Sequence, residues 1–110
     1  MEVKLFMERS RPYVILSAAM TIDGKIGTKS KSLKLSSRKD KTRVHKLRTR
    51  VDAILIGKNT LETDNPKLSV RYVRGKNPIR IILDSHGTVK SSSNILKTCN
   101  KIPTIVVTTD

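Results

Sequence analysis

The fold of this chain is constrained most by residues 52–66, where an unbroken aliphatic run meets a glycine and a short polar segment. The run Ala53-Ile54-Leu55-Ile56 is far too short to span a membrane and suits a strand buried on both faces. Gly57 ends that strand, the pair Asn59-Thr60 contains the predicted N-cap of a short helix, and Asp64-Asn65-Pro66 closes the helix. Open α/β sheets bind ligands at the carboxyl ends of their strands, and helix N-termini favour phosphate. An ordinary strand-to-helix connection explains the same pattern equally well, because a lone glycine is weak evidence.

Three further apolar runs predict buried strands, and the segments between the runs are long enough for helices. The first, residues 13–20, lacks alternation, so we expect both of its faces to be covered as in a central strand. Residues 79–83 and 102–107 are the other two. This succession predicts right-handed βαβ crossovers and a mostly parallel sheet with flanking helices, an α/β fold. Residues 1–11 form a polar lead-in that adds a turn or an edge strand, and residues 67–73 suit a short strand or an extended arm.

One helix is predicted between the first two runs. Ser36-Ser37 marks its start, with Asp40 placed to meet the unpaired N–H groups of the first turn. It would span residues 38–50, with a narrow apolar stripe against the sheet. The stripe consists of Val44, Leu47 and Val51. His45 lies beside this stripe, and we expect a surface or boundary residue rather than a metal ligand, because no second His stands at ligand spacing.

Several short polar segments predict turns. Asp23-Gly24 is a strong turn signal, because glycine adopts positive φ without strain, and we expect Asp23 to cap its own turn. Residues 28–34 predict a basic loop. Asp84-Ser85 follows a strand on the side where ligands bind, His86-Gly87 then turns the chain, and residues 91–94 suit a loop or a helix cap.

The charge of the chain points to anionic partners. There are 23 Lys and Arg against nine Asp and Glu, a formal charge of +14. Such a charge attracts polyanions or a small phosphorylated ligand. The basic residues are spread along the chain, and two Tyr, one Phe and no Trp leave few surfaces for base stacking. A basic phosphate- or nucleic-acid-binding module is therefore kept as an alternative function, with a dedicated nucleic-acid site not expected.

The cysteine content, the length of the apolar runs and the chain length indicate the compartment of the protein and the number of its domains. The single Cys99 excludes an internal disulfide, and we expect an inert thiol and a reducing cytoplasm. No run approaches the roughly 18 apolar residues of a membrane span, and the N-terminus does not read as a secretory signal. We expect one domain over residues 1–110. Because the last predicted strand coincides with the chain end, we expect the N-terminal half of a larger domain, with a small complete α/β domain as the alternative.

A series of motifs resembles the riboflavin-pathway reductases, which have a dihydrofolate-reductase-like fold. In chain order the matching pieces are Arg11-Pro12-Tyr13, Ala19-Met20-Thr21-Ile22-Asp23-Gly24-Lys25-Ile26, Leu35-Ser36-Ser37, His45-Lys46-Leu47-Arg48, Asp52-Ala53-Ile54-Leu55-Ile56-Gly57, Asn59-Thr60, Asp64-Asn65-Pro66-Lys67-Leu68-Ser69-Val70-Arg71 and Pro78-Ile79-Arg80-Ile81-Ile82-Leu83-Asp84-Ser85. Their order and approximate spacing fit throughout, and the combination is far more specific than any one piece.

The resemblance implies an NADPH-dependent oxidoreductase, with NADH as a possible substitute and a homodimer as the assembly. The reaction would reduce the ribosylamino side chain of a 2,5-diamino-6-ribosylamino-pyrimidinone 5′-phosphate to the ribitylamino form, without a metal. Position by position, the implied cofactor contacts are Ala19, Lys34, Ser36, Thr60, Asp64 and Ser85. The implied substrate contacts are Ser32, Arg48, Leu68 and Arg71. Arginine suits this role, because its planar guanidinium binds a phosphate with two parallel hydrogen bonds.

Two departures from the family pattern qualify these implications. Lys34 stands where many relatives carry an aromatic residue, which puts stacking on the cofactor in doubt. The family's glycine-rich cofactor loop belongs to a second half, so we expect no useful NADPH affinity from these 110 residues alone. No general acid is assigned, since Asp23 and Asp64 are weak candidates. Another reductase of the same fold is the further alternative, and it would lack the phosphate pair of Arg48 and Arg71.

Overall fold

The computed structural model describes residues 2–5, 11–27 and 35–109, and the chain divides into two compact units, Met1–Ser37 and Arg38–Asp110. In chain order the elements are β1 (Glu2–Leu5), β2 (Val14–Ser17), α1 (Arg38–Arg48), β3 (Ala53–Gly57), α2 (Lys58–Asp64), β4 (Ile79–Leu83), α3 (Asn94–Lys97) and β5 (Thr104–Val107). The α/β class predicted from the apolar runs is confirmed. The single domain over residues 1–110 stays a prediction.

The first unit contains an antiparallel pair of strands. β1 pairs with β2 from Glu2↔Ser17 to Leu5↔Val14, which confirms the edge strand predicted near the N-terminus. The central, fully covered strand predicted over residues 13–20 is wrong, because β2 has four residues and Val14 and Leu16 are 40% and 52% exposed. A pair of strands brings too few neighbours to cover two faces.

The turn at Asp23-Gly24 forms as predicted. Gly24 has φ of 81° and its N–H donates to the Thr21 carbonyl at 3.0 Å. The Thr21 hydroxyl donates to the Asp23 carboxylate, so Asp23 stabilises its own turn. The loop predicted over residues 28–34 lies outside the described residues.

The second unit is built on a parallel three-stranded sheet with the order β3-β4-β5. In the register, Ala53 aligns with Ile79 and Arg80 aligns with Thr104. The mostly parallel sheet predicted from the run-and-helix pattern is therefore confirmed. Residues 67–73 contain no strand, so the short strand predicted as one of their two forms is absent there, and Leu68 has a left-handed φ of 53°.

The two faces of this sheet differ in burial. On one face, Ile54, Ile56 and the fully buried Ile82 pack with Leu61, Leu68 and Ile95 in an aliphatic core. The opposite face, which we call the open face, consists of Leu55, Ile79, Ile81, Leu83, Ile105 and Val107. Among these, Leu55 is 56% exposed and Ile105 is 49% exposed. Burial on both faces, as predicted for residues 53–56, is therefore wrong, whereas the strand predicted over residues 102–107 forms at Thr104–Val107 but is largely exposed. An apolar run reports strand composition but not which face a neighbour covers.

The helices start close to their predicted positions. α1 begins at Arg38 as expected and ends at Arg48, two residues before the predicted end. α2 begins at Lys58, directly after Gly57, which is its N-cap with φ −86° and ψ 164° and without a side-chain cap. The cap predicted at Asn59-Thr60 is wrong, because both residues already lie inside the helix. The αL residue Asn65 ends α2 as predicted.

The remaining short elements follow the predicted capping chemistry. Ser93 caps α3, and its side chain accepts a hydrogen bond from the Leu96 N–H at 3.3 Å. Gly87, with φ of 63°, makes the predicted turn after β4 and donates to the Asp84 carbonyl at 3.1 Å. Within the described part of the chain, no helix is both long and apolar enough to cross a membrane.

A fully buried arginine stands in the middle of the sheet. Arg80 on β4 donates to the Lys67 carbonyl at 3.0 Å and to the Ile95 carbonyl at 2.8 Å. It also donates to the Thr98 hydroxyl at 2.8 Å and to the Thr104 hydroxyl at 2.9 Å. Burial lowers the pKa of this guanidinium. Its charge is therefore held in the protein by hydrogen bonds that join β4 to β5, α3 and the segment after α2.

We predict that Arg80→Lys strongly destabilises the protein. Lysine keeps the charge but replaces the planar fork with one ammonium, so several of these carbonyl and hydroxyl acceptors lose their donor. We expect a loss of about 3 kcal/mol in the free energy of unfolding, measured by urea denaturation. Arg74→Lys, at an exposed position of the same residue type, should change it by less than about 0.5 kcal/mol. Equal stability of the two variants would contradict the prediction.

Candidate functional site

A cleft of about 390 Å³ lies at the carboxyl ends of β3 and β4, and we call it the carboxyl-end cleft. It is lined by Gly57, Lys58, Asn59, Thr60, Leu83, Asp84, Ser85 and His86. This edge is where parallel α/β sheets place ligands. The structure thus brings together Thr60 and Ser85, two predicted cofactor residues that come from different strand ends.

A buried carboxylate shapes one wall of the carboxyl-end cleft. Asp84 is 1% exposed, and its side chain accepts hydrogen bonds from the Val89 N–H at 2.8 Å and the Thr88 hydroxyl at 3.4 Å. Its own N–H donates to the Val107 carbonyl at 2.9 Å. Asp84 is therefore used to fold the turn after β4, and the exposed Ser85 that follows it lines the cleft.

The polar groups of the cleft suit an anionic ligand. Thr60 and Ser85 carry hydroxyls, and Lys58 carries an ammonium whose nearest acidic group, on Glu62, lies 3.6 Å away. Because α2 has only seven residues, its dipole is small, and these side chains matter more than the helix terminus.

A second group of residues, which includes the predicted substrate contacts Arg48 and Arg71, lies where α1 meets residues 69–72, and we call it the arginine cluster. It comprises His45, Arg48, Ser69, Arg71 and Tyr72. Arg48 Nη1 donates to the Ser69 carbonyl at 3.0 Å, and Arg71 Nη1 donates to the Ser69 hydroxyl at 3.0 Å. Two predicted substrate residues, 23 positions apart in the sequence, thus converge on one serine.

The electrostatics of the arginine cluster favour an anion. Burial is the main cause that lowers the pKa of His45 to about 4, and the charges of Arg48 and Arg71 add to it. Burial, followed by the charge of Arg71, also lowers the pKa of Arg48. The Nε of Arg48 is buried without a hydrogen-bond partner among the described residues. A negatively charged oxygen would relieve this excess of positive charge and of donors.

The other predicted site residues are placed separately. Leu68 is buried in the core, with a left-handed φ of 53°, and Asp64 is the exposed last residue of α2 and does not line the cleft. Ala19 and Ser36 are half-buried residues of the first unit. Ser32 and Lys34 lie outside the described residues. The lining of the carboxyl-end cleft and the arginine cluster have no residue in common.

His45 was placed wrongly by the sequence pattern. It was expected at the surface or at the boundary of the apolar stripe, yet it is 3% exposed, whereas Val44, Leu47 and Val51 are only half-buried. The i,i+3 spacing of His45 and Arg48 puts the two on one face of a helix, and that signal was available in the sequence.

A parallel sheet with a polar cleft at its carboxyl edge and a pair of converging arginines is typical of an α/β protein that binds phosphorylated ligands. Comparison with known families makes this specific. The RibD C-terminal domain family matches residues 12–110, so the chain belongs to this family. The family membership predicted from the motifs is confirmed.

Similar proteins carry a consistent description. A 2,5-diamino-6-ribosylamino-4(3H)-pyrimidinone 5′-phosphate reductase of Aquifex aeolicus is 43% identical over 105 residues, covering 91% of this chain and 46% of the relative. A protein of the same name from Methanothermobacter thermautotrophicus is 43% identical over 99 residues, covering 87% and 45%. The chain thus spans less than half the length of these curated relatives.

The fold agrees with a solved structure. A diaminohydroxyphosphoribosylaminopyrimidine deaminase/5-amino-6-(5-phosphoribosylamino)uracil reductase from Thermotoga maritima superposes with a TM-score of 0.70 at 34% identity. The match covers 83% of this chain and 26% of the other. This likeness confirms the dihydrofolate-reductase-like fold predicted from the motifs.

We predict that His45 titrates far below its usual range. Its folded pKa of about 4 lies below the ordinary value of 6.5. The unfolded chain therefore binds the proton more tightly, so this contribution to stability is complete above pH 6.5 and is lost as the pH falls towards 4. The loss amounts to at most roughly 3 kcal/mol. An NMR titration of the His45 ring gives the midpoint directly.

The stability effect is isolated by comparison with His45→Asn, because the carboxylates titrate equally in both proteins. The difference in the free energy of unfolding between wild type and variant should shrink as the pH is lowered from 6.5 to 4. A constant difference, or a His45 midpoint near 6.5, would contradict the prediction.

Proposed function

We propose that the protein containing this chain is an NADPH-dependent reductase of riboflavin biosynthesis. The reaction reduces the ribosylamino side chain of 2,5-diamino-6-ribosylamino-4(3H)-pyrimidinone 5′-phosphate to the ribitylamino form. Family membership and the shared name of two relatives at 43% identity support this proposal. A homodimer, implied by the resemblance, and a cytoplasmic location, expected from the single cysteine, are part of the same proposal.

The observation that carries the proposal is the convergence of Arg48 and Arg71 on Ser69. A sugar 5′-phosphate is a compact dianion, and two guanidinium groups side by side neutralise it while fixing its orientation. The buried Nε of Arg48, without a protein acceptor in the described chain, supports an external oxygen as its partner. Ser32 and Leu68 are proposed to contact the remainder of the substrate.

The carboxyl-end cleft is the proposed cofactor site. Thr60 and Ser85 line it. Ala19, Lys34, Ser36 and Asp64 remain cofactor contacts that the resemblance implies. Lys58 and Ser85 both line this cleft, and the Lys58 ammonium, which pairs with Glu62 at 3.6 Å, is proposed to attract the additional 2′-phosphate that distinguishes NADPH from NADH. Asp84 also lines the cleft, and its carboxylate is buried and accepts a hydrogen bond within its own turn.

The chemical contribution of this chain is alignment and charge compensation. NADPH, when bound, would supply a hydride to the anomeric carbon of the sugar once the ring C–O bond at that carbon has opened to give an imine, and the released ring oxygen takes a proton and becomes a hydroxyl. The arginine cluster holds the phosphate end of the substrate and thereby limits the positions that this carbon can occupy. No residue of the chain is assigned as general acid, and a water molecule can fill that role.

We predict that Arg71→Ala raises the substrate KM of the intact enzyme by at least about tenfold, because a charge-assisted hydrogen bond to the phosphate is lost. NADPH affinity should stay unchanged. The matched control is Arg74→Ala, an exposed arginine three positions further along the same loop. Steady-state kinetics with varied substrate give the comparison, and an unchanged KM in Arg71→Ala would remove this residue from the site.

We predict that NADPH perturbs the backbone amide signals of Thr60, Asp64 and Ser85 in the full-length protein. A dinucleotide in the carboxyl-end cleft changes the environment of these N–H groups. The measurement is an NMR titration, with the amide of Cys99, outside the cleft lining, as internal control. Binding should also depend weakly on salt, whereas a nucleic-acid-binding module would lose affinity steeply. Saturation by NADPH without shifts at these three residues would reject the cofactor site.

A further inference from the structure

The tautomer of His45 follows from one hydrogen bond. The backbone N–H of Arg71 points at His45 Nδ1, with 2.9 Å between the two nitrogens. A backbone N–H can only donate, so Nδ1 must carry the lone pair. In a neutral imidazole the other nitrogen then carries the proton. His45 is therefore present as the Nε2–H tautomer.

This assignment changes how the contact between His45 and Arg48 is understood. Arg48 Nη1 lies 3.4 Å from His45 Nε2, yet both nitrogens carry hydrogens in this tautomer, so neither accepts from the other. Arg48 is held instead through the Ser69 carbonyl. The imidazole thus lies beside the Arg48 guanidinium without a hydrogen bond to it, and its one polar contact with the arm is as acceptor for the Arg71 backbone.

The imidazole ring is fixed by its surroundings. It is 3% exposed, and Tyr72 packs against it edge-to-face with 4.7 Å between ring centroids and 78° between planes. Rotating the ring by half a turn would replace Nδ1 with a carbon and remove the bond to Arg71. The ring position therefore ties the arm after α2 to helix α1.

We propose that His45 is a positioning residue for Arg48 and Arg71, the two arginines proposed to bind the substrate phosphate. Its Nδ1 anchors the main chain of Arg71 to α1, the helix that also carries Arg48, so this bond fixes where the Arg71 side chain starts relative to Arg48. This inference depends on the proposed function, in which those two arginines bind the substrate phosphate. It assigns to a neutral histidine a role in geometry, and no proton transfer is involved.

Substituting His45 with asparagine or with glutamine tests the Nδ1 and Nε2 positions of the ring separately. The Oδ1 of asparagine is one bond from Cγ, like Nδ1, and can accept from the Arg71 N–H. The polar atoms of glutamine reach out towards the Nε2 position. A merely space-filling role would be disturbed by both changes, whereas the positioning role distinguishes them.

The test is steady-state kinetics of the intact enzyme with the phosphorylated substrate. His45→Gln should raise the substrate KM about tenfold, the equivalent of one lost hydrogen bond, with kcat and the NADPH KM within about threefold of wild type. His45→Asn should keep the substrate KM within about threefold. Lys46→Ala, the exposed neighbour on α1, is the control and should match wild type.

Equal KM values for His45→Asn and His45→Gln would overturn the proposal. If Arg71→Ala raises KM but His45→Gln does not, the His45 proposal fails while the phosphate site stands. If Arg71→Ala also leaves KM unchanged, the phosphate assignment itself is overturned, and the His45 role with it. Long-range ¹⁵N–¹H NMR of the wild-type protein needs no variant to fold: the Nε2–H tautomer supports the proposal, and the Nδ1–H tautomer overturns it.

Discussion

The buried guanidinium of Arg80 is the interaction on which the second unit depends. A charge at 0% exposure is stable only if its N–H groups find acceptors, and these come from β5, α3 and the Lys67 carbonyl. The same bonds therefore fix the start of the arm that continues to Ser69 and Arg71. The sheet interior and the arginine cluster are linked through one side chain.

This link explains how a short irregular arm can present charged groups in a defined place. Residues 65–78 contain no helix or strand, but they are held at several points. Arg80 holds the Lys67 carbonyl, Leu68 is buried in the core, and His45 accepts from the Arg71 N–H. Loops that a rigid scaffold holds in this way often carry the binding residues of a protein.

The local parts of this architecture could be read from the sequence. The strand ending at Gly57, the helix ending at Asn65 and the cap at Ser93 are all set by residues within a few positions of one another. Short-range backbone preferences and side-chain caps decide such features. Arg48 and Arg71 could be named only through the resemblance to a family.

The features that were missed depend on residues far apart in the chain. The bond between His45 and the Arg71 N–H spans 26 positions, and the bond between Arg80 and Thr104 spans 24. Periodicity places a polar residue at the surface unless its partners are known, so the burial of His45 and of Arg80 was missed. The exposure of Leu55 was missed for a related reason, because the pattern of one strand does not reveal what packs on it.

The open face has a consequence for how sequence change is tolerated. Along β3 and β4, successive residues alternate between the packed side of the sheet and the side on which Leu55 and Leu83 are about half exposed. Removing methyl groups leaves a cavity only in the first environment. The effect of random substitutions on stability should therefore vary with a period of two residues along these strands, with a sensitive position followed by a permissive one.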